Sequence, residues 1–121
     1  MSVESLGKSL VLTLAVLIRD ELPNGSGSGV LLPSVLPLFT DMRQFLAVAQ
    51  DLDQPAIVAI YEPLLTAKLT DFAAAAKQLQ KGEDGAQELV ERLAMELADL
   101  VNGFLKALAP MASSFFFLSF P

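Results

Sequence analysis

The segment Asp84–Ala109 constrains the fold more strongly than any other part of the chain. Its apolar residues recur at alternating intervals of four and three, which is the spacing of one helix face and not the two-residue alternation of a strand. The positions on this seam are Ala86, Val90, Leu93, Leu97, Leu100, Phe104 and Ala107. Further apolar residues widen one flank of it, namely Leu89, Val101, Leu105 and Leu108. A face of this width is typical of a helix in the core of a bundle.

Three more segments show helical spacing of their apolar residues. The predicted helices cover residues 2–22, 34–50, 54–80 and 84–109. The first carries apolar residues around most of its circumference in its second half, which indicates burial on several sides. A chain of 121 residues is long enough for one hydrophobic core. We therefore expect a single domain, residues 1–121, folded as an all-α, up-and-down four-helix bundle.

Proline, glycine and acidic residues mark the ends of the third and fourth predicted helices. Asp53 is a predicted N-cap, because Pro55 then lies in the first helical turn, where its missing N–H costs little. Gly82 is expected to end the third helix. Asp84 is the predicted N-cap of the fourth helix, and Gln87 is expected to complete a capping box with it.

Pro63 lies inside the third predicted helix. The apolar spacing continues on both sides of it, so the helix is expected to pass through this position. An interior proline removes one backbone hydrogen bond and crowds the carbonyl four residues earlier, which is that of Ala59. The sequence therefore predicts a kink between Ala59 and Glu62.

Residues 23–33 separate the first two predicted helices and begin with the sequence PNGSGSG. Glycine and serine give the backbone freedom and offer no side chain to bury, so this Gly/Ser-rich loop is expected to be flexible. Its regular alternation fits a natural loop and also one introduced by protein engineering.

Residues 110–121 form an apolar C-terminal tail after the last predicted helix. No residue after Lys106 carries a charged side chain, and four of the eight phenylalanines lie in the last seven positions. Such a segment would promote aggregation if it stayed in water. Three arrangements are open: the tail packs back on the bundle, docks on another chain or a membrane surface, or is incidental.

The composition indicates more apolar surface than one small bundle needs. Hydrophobic residues make up 53% of the chain and charged residues 18%, so we expect a homo-oligomer or a protein partner. The net charge of −6, with no cluster of lysines and arginines, argues against binding of nucleic acid. The apolar run Leu10–Ile18 is too short to span a membrane. No segment indicates a compartment, and a soluble, cytoplasmic protein is the default expectation.

The residue types exclude several kinds of chemistry. The chain has no cysteine and no histidine, so it lacks the residues of Cys/His dyads, Ser-His-Asp triads and the usual zinc sites. A helical di-iron site of the Glu-x-x-His type lacks its histidines for the same reason. The acidic residues of the fourth helix lie on its polar side and include ordinary i,i+4 pairs with Arg92. We therefore predict no catalytic residue, no metal ligand and no cofactor, and hence no enzyme.

Two functions remain from the sequence. The first is a non-enzymatic interaction or oligomerisation module, natural or engineered. Its predicted interaction residues are Leu14, Ile18, Phe115, Phe116, Phe117 and Phe120. The alternative is a carrier of an apolar small molecule or lipid, held between the helices. Its predicted ligand-binding residues are Phe39, Phe45, Tyr61, Phe72 and Phe104.

Overall fold

The computed structural model describes residues 3–22 and 35–119, with side chains described as far as Leu108. In this part of the chain every regular element is helical. The helices are α1 (Val3–Val16), which continues into a π-helical turn (Leu17–Glu21), α2 (Val35–Gln50), α3 (Pro55–Gln80) and α4 (Ala86–Ser119). The predicted all-α four-helix fold is confirmed. The predicted flexible loop, residues 23–33, lies outside the described residues.

Helix α4 packs against both α1 and α3, and it runs antiparallel to each. On the α1 side, Gly7 faces Leu105, whereas Leu22 lies beside Gln87 near the other end of the pair. On the α3 side, Tyr61 contacts Phe104, whereas Lys68, later in α3, pairs with Glu96, earlier in α4. Helix α2 packs against α1 and α3. Consecutive helices are therefore neighbours, as in an up-and-down bundle.

Helices α1 and α4 pack closely at Gly7. A Cβ atom at this position would lie 2.7 Å from Cδ1 of Leu105, which is closer than carbon atoms approach without displacement. The absence of a side chain at Gly7 therefore leaves room for the side chain of Leu105.

The core is made of apolar side chains from all four helices. Among the described residues, no polar or charged side chain is buried, and no buried side-chain nitrogen or oxygen lacks a hydrogen-bond partner. The largest side chains with almost no exposed surface are Phe45, Phe72, Phe104, Leu10, Leu14, Leu17, Leu22, Leu38, Met42, Leu65 and Leu97. Hydrophobic burial is thus the main force that holds the bundle together.

The buried seam of α4 departs from the predicted heptad after Leu97. Val101 and Leu108 are buried, whereas Leu100 and Ala107, which the heptad pattern placed on the seam, are only partly buried. An α-helix has 3.6 residues per turn, so a strict 3.5-residue seam drifts around the helix by about 20° per heptad. Two residues that the sequence assigned to the flank, Val101 and Leu108, therefore belong to the buried seam, whereas Leu89 and Leu105 stay partly buried.

The π-helical turn at the end of α1 changes which residue enters the core. In a continuous α-helix, Glu21 would occupy the position seven residues after the buried Leu14, on the same face. The wider turn adds one residue, so that Leu17 and Leu22 are both buried while Arg19 and Asp20 are exposed. This extra residue keeps a carboxylate out of an apolar core.

The ends of α3 and α4 follow the predicted signals only in part. The N-cap of α3 is Gln54 and not Asp53, with Pro55 at the first helical position as predicted. Gly82 has a positive φ of 77°, and bonds from Gly82 N to Leu79 O and from Glu83 N to Gln78 O form a Schellman motif that ends α3.

Helix α4 begins at Ala86, two residues later than predicted. Gly85, with φ 78°, precedes it, and the carbonyl of Gly85 accepts the first helical bond, from Leu89. The Gln87 amide donates to the carbonyl of Leu22, 3.1 Å away, and does not form the predicted capping box. This hydrogen bond ties the start of α4 to the segment that follows α1.

Two prolines lie within helices beyond the first turn. Pro63 is within α3, which continues on both sides of it as predicted. Pro110 is within α4, because the backbone remains helical to residue 119, past the predicted end at Ala109. Proline lacks only its own N–H, so each removes one backbone hydrogen bond without necessarily ending the helix. The predicted tail is therefore helical as far as residue 119, and residues 120–121 lie outside the described part.

Candidate functional site

The outward side of α3 carries no exposed charge over its first sixteen residues. The exposed residues of this segment are Pro55, Ala56, Ala59, Ile60, Pro63, Leu64, Thr66, Ala67 and Thr70. The two charged residues of this segment, Glu62 and Lys68, are partly buried. Five of the exposed apolar residues lie on one side of the helix, at positions i, i+4, i+7, i+8 and i+11, and we call them the uncharged face of α3: Ala56, Ile60, Pro63, Leu64 and Ala67.

Two large side chains dominate the uncharged face of α3. Ile60 is 60% exposed and Leu64 is 49% exposed, and they lie one helical turn apart. The exposed residues of α4 provide a contrast within the same chain, up to Leu108: Glu88, Glu91, Arg92, Met95, Asp99, Asn102 and Lys106. That composition is typical of a solvated helix face, and the composition of the α3 face is not.

A groove lies beside this face, between α3 and α4. It has a volume of about 460 Å³ and is open to solvent. Its lining consists of Leu64, Ala67, Lys68, Asp71, Glu96, Asp99 and Leu100. Because Leu64 and Ala67 belong both to the groove and to the uncharged face of α3, the two form one continuous surface.

The charges in the groove are unevenly paired. Lys68 Nζ lies 3.1 Å from Glu96 Oε2 and links the two helices, while Arg92 Nε lies 3.8 Å from the other oxygen of the same carboxylate. Asp71 and Asp99 form no ion pair with any described side chain. The groove lining therefore carries three carboxylates and one ammonium group, and its local charge is negative.

The five aromatic residues predicted to bind a ligand contact one another inside the bundle. Phe45 and Phe104 meet edge to face at 5.5 Å between ring centroids, Tyr61 stacks on Phe104 at 5.1 Å, and Phe39 lies 6.1 Å from Phe72. Phe45, Phe72 and Phe104 have no exposed surface. Phe39 and Tyr61 are partly buried and pack against the same core. These rings occupy the space between the helices that a ligand would need.

The predicted interaction residues are not brought together on one described surface. Leu14 is fully buried, and Ile18 is partly buried against the core. The exposed large apolar residues of α1 are instead Leu12, 67% exposed, and Val16, 45% exposed. The backbone of residues 115–117 belongs to α4, but their side chains, and all of Phe120, lie outside the described part of the chain.

The uncharged face of α3 was not among the sites predicted from the sequence. A signal for it was present, since Glu62 is the only charged residue between Asp53 and Lys68. Apolar spacing alone did not separate this face from the buried seam, because Ile60 and Leu64 alternate with the buried Val58 and Leu65. A missing polar face on an amphipathic helix is the pattern that would have identified it.

Two further properties of the described residues bear on function. No group of three or more acidic side chains within residues 3–22 and 35–108 is arranged so that it could hold a metal ion. No described helix combines the length and the apolar character needed to cross a membrane. Comparison with known proteins gave no matching family model, no matching curated protein and no matching solved structure.

Proposed function

We propose that this chain is a non-enzymatic interaction module, which binds another protein surface or a second copy of itself. The observation that carries the proposal is the uncharged face of α3. Its exposed residues are apolar, whereas most exposed residues of α4 up to Leu108 are charged or polar. Contiguous apolar patches on a protein surface mark interaction sites more often than chance exposure does.

The energy available at this face sets the expected strength of association. Burying the exposed half of Ile60 or Leu64 stabilises a complex by about 1 kcal/mol each. A two-fold contact between two copies would bury four such side chains and gain about 4 kcal/mol, which only approaches the cost of association. Ile60 and Leu64 alone are therefore not expected to hold two copies together at micromolar concentrations, and measurable self-association needs further apolar area.

Additional apolar area would come from elsewhere in the chain. Leu12 and Val16 lie one turn apart on the outer side of α1, which in the described part of the chain packs on α2 and α4 and not on α3, so they would form a separate contact. The phenylalanines predicted for interaction, Phe115 to Phe117 and Phe120, are proposed to contribute as well. One buried phenylalanine ring stabilises a contact by roughly 1.5–3 kcal/mol, enough to strengthen a weak association more than tenfold.

The alternative, a carrier of an apolar ligand, draws less support. The residues proposed to line its site are packed ring against ring, and three of them have no exposed surface. A ligand at that place would have to displace aromatic contacts worth about 0.5–1.5 kcal/mol each beyond their burial. The α3 face needs no such rearrangement to bind a protein.

The direct test is sedimentation velocity on the full chain from about 1 to 300 μM at 0.15 M and 0.5 M salt. We expect reversible association that strengthens with salt, because salt screens the repulsion between two chains of charge −6. The double variant Ile60→Glu/Leu64→Glu should be monomeric throughout. The control variant Gln44→Glu/Gln50→Glu adds the same charge at exposed positions of α2 and should associate like the parent chain.

The same measurement tests the C-terminal contribution. A chain ending at Pro110 should associate more weakly than the full chain, with an unchanged midpoint of thermal unfolding. If the full chain is monomeric at every concentration and salt, self-association is excluded. If the parent chain associates and the Ile60/Leu64 variant associates equally, the uncharged face of α3 is not the contact between the chains.

A further inference from the structure

We propose that the partner is an amphipathic helix whose apolar side is flanked by lysine or arginine, and that it lies along the groove between α3 and α4. The inference rests on the proposed function, since it takes the uncharged face of α3 as the apolar part of the binding surface. It adds the chemical class of the partner.

The shape of the surface suits a helix. The uncharged face continues into the groove through Leu64 and Ala67, and Leu100 adds an apolar wall from α4. From Ala56 to Asp71 the surface follows fifteen residue steps of α3, about 22 Å at 1.5 Å per residue. A partner helix of about four turns matches this length. Helices bind such grooves through apolar residues spaced three and four apart.

The charge of the surface indicates which residues lie on either side of the apolar stripe of the partner helix. Asp71 on α3 and Asp99 on α4 stand on opposite walls of the groove, and neither forms an ion pair with a described side chain. Glu96 is shared by Lys68 and Arg92. A helix with cations on both sides of its apolar stripe would place one row against each unpaired aspartate.

The same charges disfavour a second copy as the occupant of the groove. The chain has a net charge of −6, and most exposed charges of α4 are carboxylates, so a second molecule would bring acid toward acid. Anionic lipid and nucleic acid are disfavoured for the same reason. A basic helix is the occupant for which both the apolar floor and the charged walls are complementary.

Fluorescence anisotropy with two synthetic probes tests this proposal. Both are labelled eighteen-residue peptides with leucines at helical spacing, and the remaining positions are lysine in one and glutamate in the other. The full chain should bind the Leu/Lys peptide at 0.05 M salt and at least tenfold more tightly than the Leu/Glu peptide. Binding should weaken as salt rises, which is opposite to the salt dependence expected for self-association.

Variants separate the groove from general attraction of a polycation to an acidic protein. Asp71→Asn/Asp99→Asn should weaken binding about tenfold, since two rim contacts are lost. Leu64→Glu tests the apolar floor and should also weaken binding about tenfold, although it adds negative charge. The control Glu83→Gln/Asp84→Asn removes two exposed carboxylates from the α3–α4 loop and should bind within twofold of the parent. Circular dichroism confirms that each variant is folded.

The outcomes distinguish this inference from the proposed function. Equal binding of both peptides, or binding that Leu64→Glu and the two aspartate substitutions leave unchanged, overturns it. If neither peptide binds but the chain associates through Ile60 and Leu64, the basic-helix inference is wrong and the interaction function stands. If no peptide binds and no association occurs, both are wrong.

Discussion

Deleting Arg19 should be tolerated, although it removes a residue from the middle of a helix. The π-helical turn Leu17–Glu21 contains one residue more than an α-helical path would need to bring Leu22 into the core. Without Arg19, Leu22 becomes the seventh residue after Leu14, which in an α-helix is rotated from it by only about 20°. The shortened segment is therefore expected to become a regular α-helix with the same buried residues.

The expected change in the free energy of unfolding follows from the two features that the Arg19 deletion alters, an exposed side chain and the type of backbone hydrogen bond. Arg19 is exposed, and surface changes usually alter the free energy of unfolding by less than about 0.5 kcal/mol. Replacing π-type by α-type hydrogen bonds is expected to shift it by about 1 kcal/mol at most. The midpoint of thermal unfolding should therefore stay within roughly 8 °C of the parent.

The matched control is deletion of Asn102, an exposed residue within the regular part of α4. This deletion rotates the following residues by about 100° relative to Val101. Phe104 then leaves the core, where it has no exposed surface and contacts the rings of Phe45 and Tyr61. The loss is expected to be at least 3–5 kcal/mol, the usual range for removing a buried phenylalanine.

Urea unfolding followed by far-UV circular dichroism measures both free energies. The slope of free energy against urea should be unchanged for the Arg19 deletion, because the buried surface is the same. If the two deletions destabilise the chain equally, the extra residue of the π-helical turn is not what brings Leu22 onto the buried face. A crystal structure of the Arg19 deletion that buries Glu21 and exposes Leu22 would contradict the same reasoning.

Two substitutions test the packing more locally. Leu97→Ala should lower the free energy of unfolding by roughly 2–5 kcal/mol, because Leu97 is fully buried, whereas Glu91→Ala on the exposed side should change it by less than about 0.5 kcal/mol; similar urea midpoints would mean the wrong face of α4 was assigned. Gly7→Ala should destabilise the chain by up to about 2 kcal/mol, because its Cβ would overlap Leu105 at 2.7 Å. In a chain that already carries Leu105→Ala, the same substitution should stabilise by up to about 1 kcal/mol, because the overlap is gone and alanine favours the helix. A double-mutant cycle with no coupling energy would show that the helices do not meet there.

Local sequence signals were sufficient for the helices and for several of their ends. The helical spacing of apolar residues placed the third helix at 54–80, and α3 is Pro55–Gln80. Pro55 and Gly82 had the predicted roles because their backbone preferences are intrinsic to the residue. The capping roles of Asp53 and Asp84 were wrong: each N-cap lies one residue later, at Gln54 and Gly85, so a good capping side chain nearby did not fix the exact start.

The candidate surface was less accessible to sequence reasoning. Ile60 and Leu64 are as apolar as the buried residues beside them, so composition alone could not tell which row of α3 meets a neighbouring helix. The predicted interaction residue Leu14 is buried because α1 turns that side toward the other helices. Exposure is a property of the packed helices and not of a single helix.

The amino-acid sequence by itself indicated that the chain is helical, where most of the described helix ends lie, and that it has no cysteine or histidine; it ended the fourth helix at Ala109, whereas α4 continues to Ser119. Those features depend on periodicity, turn residues and residue types, all of which act over a few residues. Tertiary structure alone decided the shift of the α4 seam to Val101, the π-helical turn that buries Leu22, and the groove between α3 and α4. Each depends on how one helix is rotated against another, and that rotation is set by close packing between residues distant in the chain.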